Sequence, residues 1–210
     1  MGSRDFQSAA ELLNSLEAGE LGEKDAILEL AALFKKVDVS CFETLLRIMR
    51  KDFGEASRLI GTSLMRRMVS EALASIATLR QDEAESLLES GRLREAFGSR
   101  RSSTLLEKGL SIDQAYLGML EACRLSGKSS MASKVKRLTM LLSRSSEEEA
   151  ILIVNMLVGK HGGVSDRLIL KALREAFGGS AVIEEIMGEA NRLRDFYKVA
   201  MQIVENAGRA

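Results

Sequence analysis

The segment ILELAALFKKVDVSCFETLLRIM, residues 27–49, decides the fold class. Ile27, Leu30, Ala31 and Phe34 fall at i, i+3, i+4 and i+7, one face of a helix. Asp38 then reads as an N-cap, and Phe42, Leu45, Leu46 and Met49 repeat the stripe. The same period runs outward in both directions. Leu12, Leu13 and Leu16 precede it; Leu64, Met65, Met68, Val69 and Ala72 follow, then Val135, Leu138, Leu141 and Leu142. Ile153, Val154 and Leu157, then Leu170, Leu173 and Phe177, then Ile183, Ile186 and Met187, and finally Val199 and Ile203 complete the series. Ser111 and Ser146 read as further N-caps, and Gly54, Gly98, Gly127, Gly159 and Gly178 as stops. No stretch alternates with period two. The sequence predicts an all-α fold of about twelve helices.

Composition agrees. The 210 residues contain no proline, which helix interiors exclude because it lacks an N–H and clashes with the preceding turn. Thirty basic residues balance thirty acidic ones, so bulk charge alone draws the chain to no polyanion or acidic surface. No apolar run approaches the ~18 residues a membrane span needs, and no secretory h-region follows Met1. Phe6 stands where myristoylation wants Ser or Thr. Intracellular placement is expected, cytoplasmic in a prokaryote and nuclear in a eukaryote. Cys41 and Cys123 lie 82 positions apart among apolar neighbours and read as buried free thiols. Seven Phe and two Tyr supply few platforms for stacking single-stranded bases.

An internal repeat organises the chain. Leu30-Ala-Ala-Leu33-Phe34-Lys-Lys36-Val-Asp38 matches Leu138-Thr-Met-Leu141-Leu142-Ser-Arg144-Ser-Ser146 at an offset of 108, continuing through Leu45/Ile153, Leu46/Val154 and Met49/Leu157. At 104, Ile60-Gly61 through Arg67, Glu71 and Ala72 matches Val164-Ser165 through Lys171, Glu175 and Ala176. At 100, Arg92-Leu93-Arg94-Glu95 matches Arg192-Leu193-Arg194-Asp195. One domain over 1–210 is expected, in two pseudo-symmetric halves near 22–98 and 129–200.

Catalytic motifs fail on inspection. Ser126-Gly127-Lys128-Ser129 resembles the end of a P-loop, but Ala122 occupies the position of the first glycine and a helix precedes it. Lys51-Asp52-Phe53-Gly54 has no companion kinase motifs. His161, the only histidine, reads as a polar loop residue, and Glu147-Glu148-Glu149 and Glu184-Glu185 as helix N-terminal acids. No metal or cofactor is expected.

Charge distribution says more. Between Ala122 and Ser146 there is no acid, while Arg124, Lys128, Lys134, Lys136, Arg137 and Arg144 are basic. Across Arg92–Arg144, eleven basic residues face four acidic ones, a local +7. Gly127-Lys128-Ser129-Ser130, Ile60-Gly61-Thr62-Ser63 and Gly162-Gly163-Val164-Ser165 each open a helix with free N–H groups and hydroxyls. On chemistry alone two readings stand: a binder of nucleic-acid backbone, and an inert helical scaffold.

The order and spacing of these turns resemble the N-terminal, DNA-binding domain of archaeal and eukaryotic ATP-dependent DNA ligases. Ser126-Gly127-Lys128-Ser129-Ser130 with Lys134 and Leu138 is similar to the family's Ser-Gly-x-Gly-Ser-x3-Lys-x3-Leu. Gly159-Lys160, then Gly163-Val164-Ser165-Asp166-Arg167 with Lys171, resembles its Gly-Lys-Leu-Arg-Ile-Gly-Val-Gly-Glu-Lys, and Ile60-Gly61 with Leu64 and Arg67 its Gly-Ile-Gly-Glu-Lys turn. Ser129 and Ser165 stand where Gly is usual, the turn at 160–163 is one residue short, and the family's Gly-Asp-Leu-Gly turns become Gly91-Arg92-Leu93-Arg94 and Asn191-Arg192-Leu193-Arg194.

The resemblance implies a helical domain that grips the minor-groove side of nicked double-stranded DNA through its phosphates, beside a ligase catalytic core. The family's nucleotidyl acceptor, Lys-x-Asp-Gly, occurs nowhere in the sequence, so no catalysis is expected of this chain. The implied contacts are Gly61, Arg67, Arg92, Arg94, Gly127, Lys128 and Ser130, with Lys134, Lys136, Lys160, Gly163, Arg167, Arg192 and Arg194. The alternative is a stand-alone scaffold of the same fold that binds a protein.

Overall fold

Local capping sets where the helices begin. Asp38 accepts from the Ser40 N–H at 3.1 Å, Ser146 from Glu149 at 3.4 Å, and Ser111 from Gln114 at 3.2 Å, so each expected cap forms. The computed structural model describes residues 5–98, 109–124, 130–178 and 196–207. Among these, eleven α-helices form and no strand does: α1 (Asp5–Glu17), α2 (Glu23–Lys36), α3 (Val39–Met49), α4 (Ser63–Ala77), α5 (Gln81–Ser90), α6 (Leu93–Gly98), α7 (Ile112–Cys123), α8 (Ser130–Arg144), α9 (Glu147–Leu157), α10 (Asp166–Phe177) and α11 (Phe196–Ala207). A 3-10 segment, Gly54–Leu59, joins them, so Gly54 opens an element rather than ending α3, which stops at Arg50.

The chain divides into two compact units. Unit 1 holds residues 1–14 and 53–162; unit 2 holds 15–52 and 163–210. In unit 1, α4 packs on α8, α9 and α5, and α7 on α8. In unit 2, α10 packs on α2, and α11 on both α3 and α10. Each unit therefore combines a helix pair from one sequence repeat with the third helix of the other.

The hydrogen bonds show the exchange. The Gly61 N–H, ahead of α4, donates to Leu157 O at 2.9 Å; the Val164 N–H, ahead of α10, donates to Met49 O at 2.8 Å. Leu157 and Met49 are equivalent at the offset of 108. The buried faces of α4 and α10 keep the offset of 104, with Met65, Met68 and Val69 against Ile169, Ala172 and Leu173. Their caps, Thr62 and Ser165, sit one residue closer, at 103, because the two helices start at different points of the same turn.

Both cores are aliphatic and aromatic. Leu30, Phe42, Leu45 and Leu46 in unit 2 and Leu142, Leu152, Val154 and Leu157 in unit 1 are fully enclosed or nearly so. Each such side chain contributes about 1.5–3 kcal/mol by leaving water. Neither cysteine is in a disulfide; Cys123 is buried as expected, whereas Cys41 is only half-buried. His161 is the loop residue the sequence suggests, but its ring is buried. It is 2% exposed, its Nε2 3.3 Å from Leu13 O, because the turn after α9 folds back onto α1. Glu149 is likewise buried, accepting from the Ser146 and Leu110 N–H groups at 2.7 and 3.1 Å.

Candidate nucleic-acid interface

Three of the expected contacts, Gly61, Arg67 and Lys160, meet at one edge of unit 1. Gly61 turns the chain at φ +77°, and Gly159 stands against it at φ +78°; a Cβ on Gly159 would lie 3.1 Å from Gly61 Cα. Only glycine allows both the conformation and this backbone approach. Thr62 follows, its hydroxyl accepting from the Met65 N–H at 3.3 Å and donating to Leu59 O at 2.8 Å. Beyond it opens a cleft of about 290 Å³, with Leu88 and Val158 as apolar lining and Ser63, Arg66, Arg67 and Lys160 among its polar lining. Glu85 and Glu89 stand on the same wall as Leu88.

The cations of this cleft are not equivalent. Arg67 Nε donates to Glu71 Oε1 at 2.9 Å, a pairing of i with i+4 along α4. Lys160 Nζ donates to Leu88 O at 2.5 Å and Glu89 O at 3.0 Å, in the last turn of α5. A cation there satisfies carbonyls left unpaired at a helix end and complements the negative end of the dipole.

Arg92 and Arg94 sit further along unit 1, after Gly91 ends α5 in the left-handed conformation. Arg92 donates to Glu95 Oε1 and Ser90 Oγ, both at 3.3 Å. Arg94 pairs with Glu148 at 2.5 Å and Glu147 at 3.6 Å, and Glu148 in turn accepts from Asn14 Nδ2 at 2.8 Å. These acids lie in the first turn of α9, so Arg94 ties the α6 region to α9.

On α8, Ser130 provides the first residue, and Lys136 is exposed with no partner among the described residues. Lys134, another implied contact, turns inward instead. It is 5% exposed and its Nζ has no hydrogen-bond partner among the described residues. The reason is register: Lys134, Leu138 and Leu142 recur at i, i+4 and i+8 on the inward face. Burial pulls its ammonium below the ordinary lysine range, with the Cys123 thiol opposing. Burial also pushes that thiol up to about 11, against the pull of Lys134.

Gly163 and Arg167 belong to unit 2. Gly163 lies at φ +81°, where a Cβ would come 3.1 Å from Met49 O. Ser165 caps α10 by accepting from the Leu168 N–H at 3.3 Å. Arg167 is exposed near Glu23, whose carboxyl is held low first by its hydrogen bond from Lys171 and, among weaker influences, by Arg167. Beside this turn Arg50 grips Asp166 with two hydrogen bonds, 2.8 and 3.1 Å. Arg50 also lies over the Phe196 ring at 4.5 Å, and Arg47 over Tyr197 at 4.5 Å. Gly127, Lys128, Arg192 and Arg194 lie outside the described residues.

One residue of the cleft, Arg66, was not among the expected contacts. A local signal existed: Arg67 has Glu71 four residues on, whereas Arg66 has Ser70, so only one of the two has an acid in reach along the helix. Among the described residues no cluster of three His, Cys, Asp or Glu is placed to hold a metal, and no helix is long and apolar enough to cross a membrane.

Comparison with known proteins adds an independent line. The family profile described as DNA ligase N terminus matches residues 5–162. A DNA ligase of Pyrobaculum arsenaticum is 28% identical over 180 residues, 80% of this chain and 31% of that protein. A DNA ligase of Pyrobaculum calidifontis is 37% identical over 92 residues, 41% of this chain and 16% of that protein. DNA ligase 2 of Thermofilum pendens is 32% identical over 110 residues, 51% and 18% of the respective chains. The chain thus spans less than a third of the length of these relatives.

Proposed function

The chain belongs to the DNA ligase N-terminus family, and from that premise we propose that it is a non-catalytic domain gripping nicked duplex DNA beside a ligase catalytic core. Contact is made on the minor-groove side, through phosphates. The carrying observation is the glycine turn that precedes a capped helix in each unit, Gly61-Thr62 before α4 and Gly163 to Ser165 before α10, with Arg66 near the first and Arg167 near the second. The turn N–H groups of Gly61, Thr62 and Val164 are taken by carbonyls, so it is the N–H groups of the first helical turn after each cap, with the long cations beside them, that a phosphate oxygen would reach, and neither reads base edges. The missing Lys-x-Asp-Gly fits a domain that neither adenylates nor seals, and that needs no cofactor of its own.

A second reading, a scaffold that binds protein, is favoured by internal pairing: Arg67, Arg92, Arg94 and Lys160 all have partners within unit 1. Fluorescence anisotropy with nicked and intact duplexes separates the two. Phosphate binding gives a log–log salt slope near −0.9 per contact and little dependence on sequence. No binding at low salt would leave the family relationship as ancestry and favour the scaffold.

A further inference from the structure

The α4 cleft carries three cations, and their hydrogen bonds sort them. Arg67 is held along its own helix by Glu71, and Lys160 uses two of its three donors on the carbonyls of Leu88 and Glu89. Arg66 lines the same cleft, is exposed, and its guanidinium has no hydrogen-bond, ion-pair or ring partner among the described residues. Nor has it an acid within one turn of α4: Thr62 and Ser63 precede it, and Val69 and Ser70 follow. Ser70 is itself buried and already accepts from Gln81 Nε2 at 2.8 Å. Arg66 is therefore the cation of the cleft whose whole fork is available, and a guanidinium fork matches two oxygens of a phosphodiester.

We infer that Arg66 is the phosphate-binding side chain of this cleft, taking one backbone phosphodiester of the duplex, while Arg67 and Lys160 are engaged in holding its walls. The inference rests on the DNA-binding reading above. It predicts a division that sequence order conceals, since Arg66 and Arg67 are adjacent and it is Arg67 and Lys160 that resemble family positions.

The test is anisotropy of the full chain on nicked duplex over a range of salt, for four variants whose helicity is checked by circular dichroism. Arg66→Ala should flatten the salt slope by about one unit and weaken binding about tenfold at low salt, on every sequence tried. Arg66→Lys should restore the slope, because the charge returns. Arg67→Ala and Lys160→Met should keep the parental slope. A slope kept by Arg66→Ala and lost in Arg67→Ala or Lys160→Met would overturn the inference and leave the DNA-binding reading standing. Failure of the unmodified chain to bind any duplex at low salt would overturn both.

Discussion

The turn after α3 in unit 2 and the turn after α9 in unit 1 are the same backbone device built from different residues. Arg50 and Val158 end their helices with nearly equal angles, φ −86° and ψ −3° against φ −83° and ψ 0°. Each donates to the carbonyls two and four residues back. Lys51 and Gly159 then enter the left-handed region, at φ +56° and +78°. Asp52 and Lys160 close the turn by donating to Arg47 O and Asn155 O, both at 2.8 Å. What differs is the surroundings. Gly159 faces the Gly61 backbone and has no room for a Cβ, whereas Lys51 carries a side chain in the same conformation. Asp52 accepts from the Tyr197 hydroxyl at 2.6 Å, and Lys160 reaches the end of α5, so opposite charges at one position fasten different helices. Backbone geometry in a repeat is kept by the local hydrogen bonds; residue identity is set by what approaches.

If that is right, Gly159→Ala should have the largest effect, about 2–3 kcal/mol in chemical denaturation, from left-handed strain plus the clash with Gly61. A loss under about 0.5 kcal/mol would show that the close approach relaxes freely.

Next comes Lys134, whose counterpart at the offset of 108 is the buried Ala26. Replacing a buried ammonium that has no hydrogen-bond partner among the described residues by an apolar side chain of similar length, Lys134→Met, should stabilise the chain by about 1–2 kcal/mol near pH 7. The sign follows from linkage. A lysine whose folded pKa is lowered binds fewer protons folded than unfolded, so parental stability rises as pH climbs from that lowered pKa toward the ordinary lysine value. The variant should lack this slope. The Cys123 thiol, raised from 9.0 to about 11, contributes the opposite trend once the unfolded thiol ionises, so both chains are compared in a Cys123→Ala background. An unchanged stability profile in Lys134→Met would mean that the ammonium is not desolvated.

Tyr197→Phe removes the bond to Asp52 while keeping the ring under Arg47, and should cost about 1 kcal/mol. The phenol should also titrate high in the parent, near 12, through burial and its bond to Asp52, as ultraviolet difference spectra would show. The smallest effect is expected of Lys51→Gly, under about 1 kcal/mol, because relief of left-handed strain is offset by greater freedom of the unfolded chain. A large loss there would mean that Lys51 holds the turn by its side chain.

The all-α architecture was legible because its causes are local: apolar residues at helical spacing, and Asp38, Ser111 and Ser146 with their N–H partners two or three residues away. The repeat was legible too, but not the exchange of third helices, which depends on contacts such as Gly61 with Leu157 that no window of sequence contains. The candidate interface divides the same way. Arg67 and Glu71 can be paired by counting four residues along a helix. Lys160 meets Leu88 across 72 positions, and Lys134 is buried by a face that only the packing of α8 defines. Charge type was therefore readable throughout, and charge availability only where the partner lies one helical turn away.

The swapped third helix imposes a waiting time during synthesis. Helices α2 and α3 leave the ribosome early, yet the Val164 N–H that closes on Met49 O follows 115 residues later. At about 5–20 residues per second that is roughly 6–23 s. Throughout it the apolar stripe of α2 lacks the helix that covers it, while the whole of residues 53–162 is being made and can fold first. Order of emergence and order of completion are thus reversed for the helix pairs: α2 and α3 of unit 2 appear before α8 and α9 of unit 1 and are sealed after them.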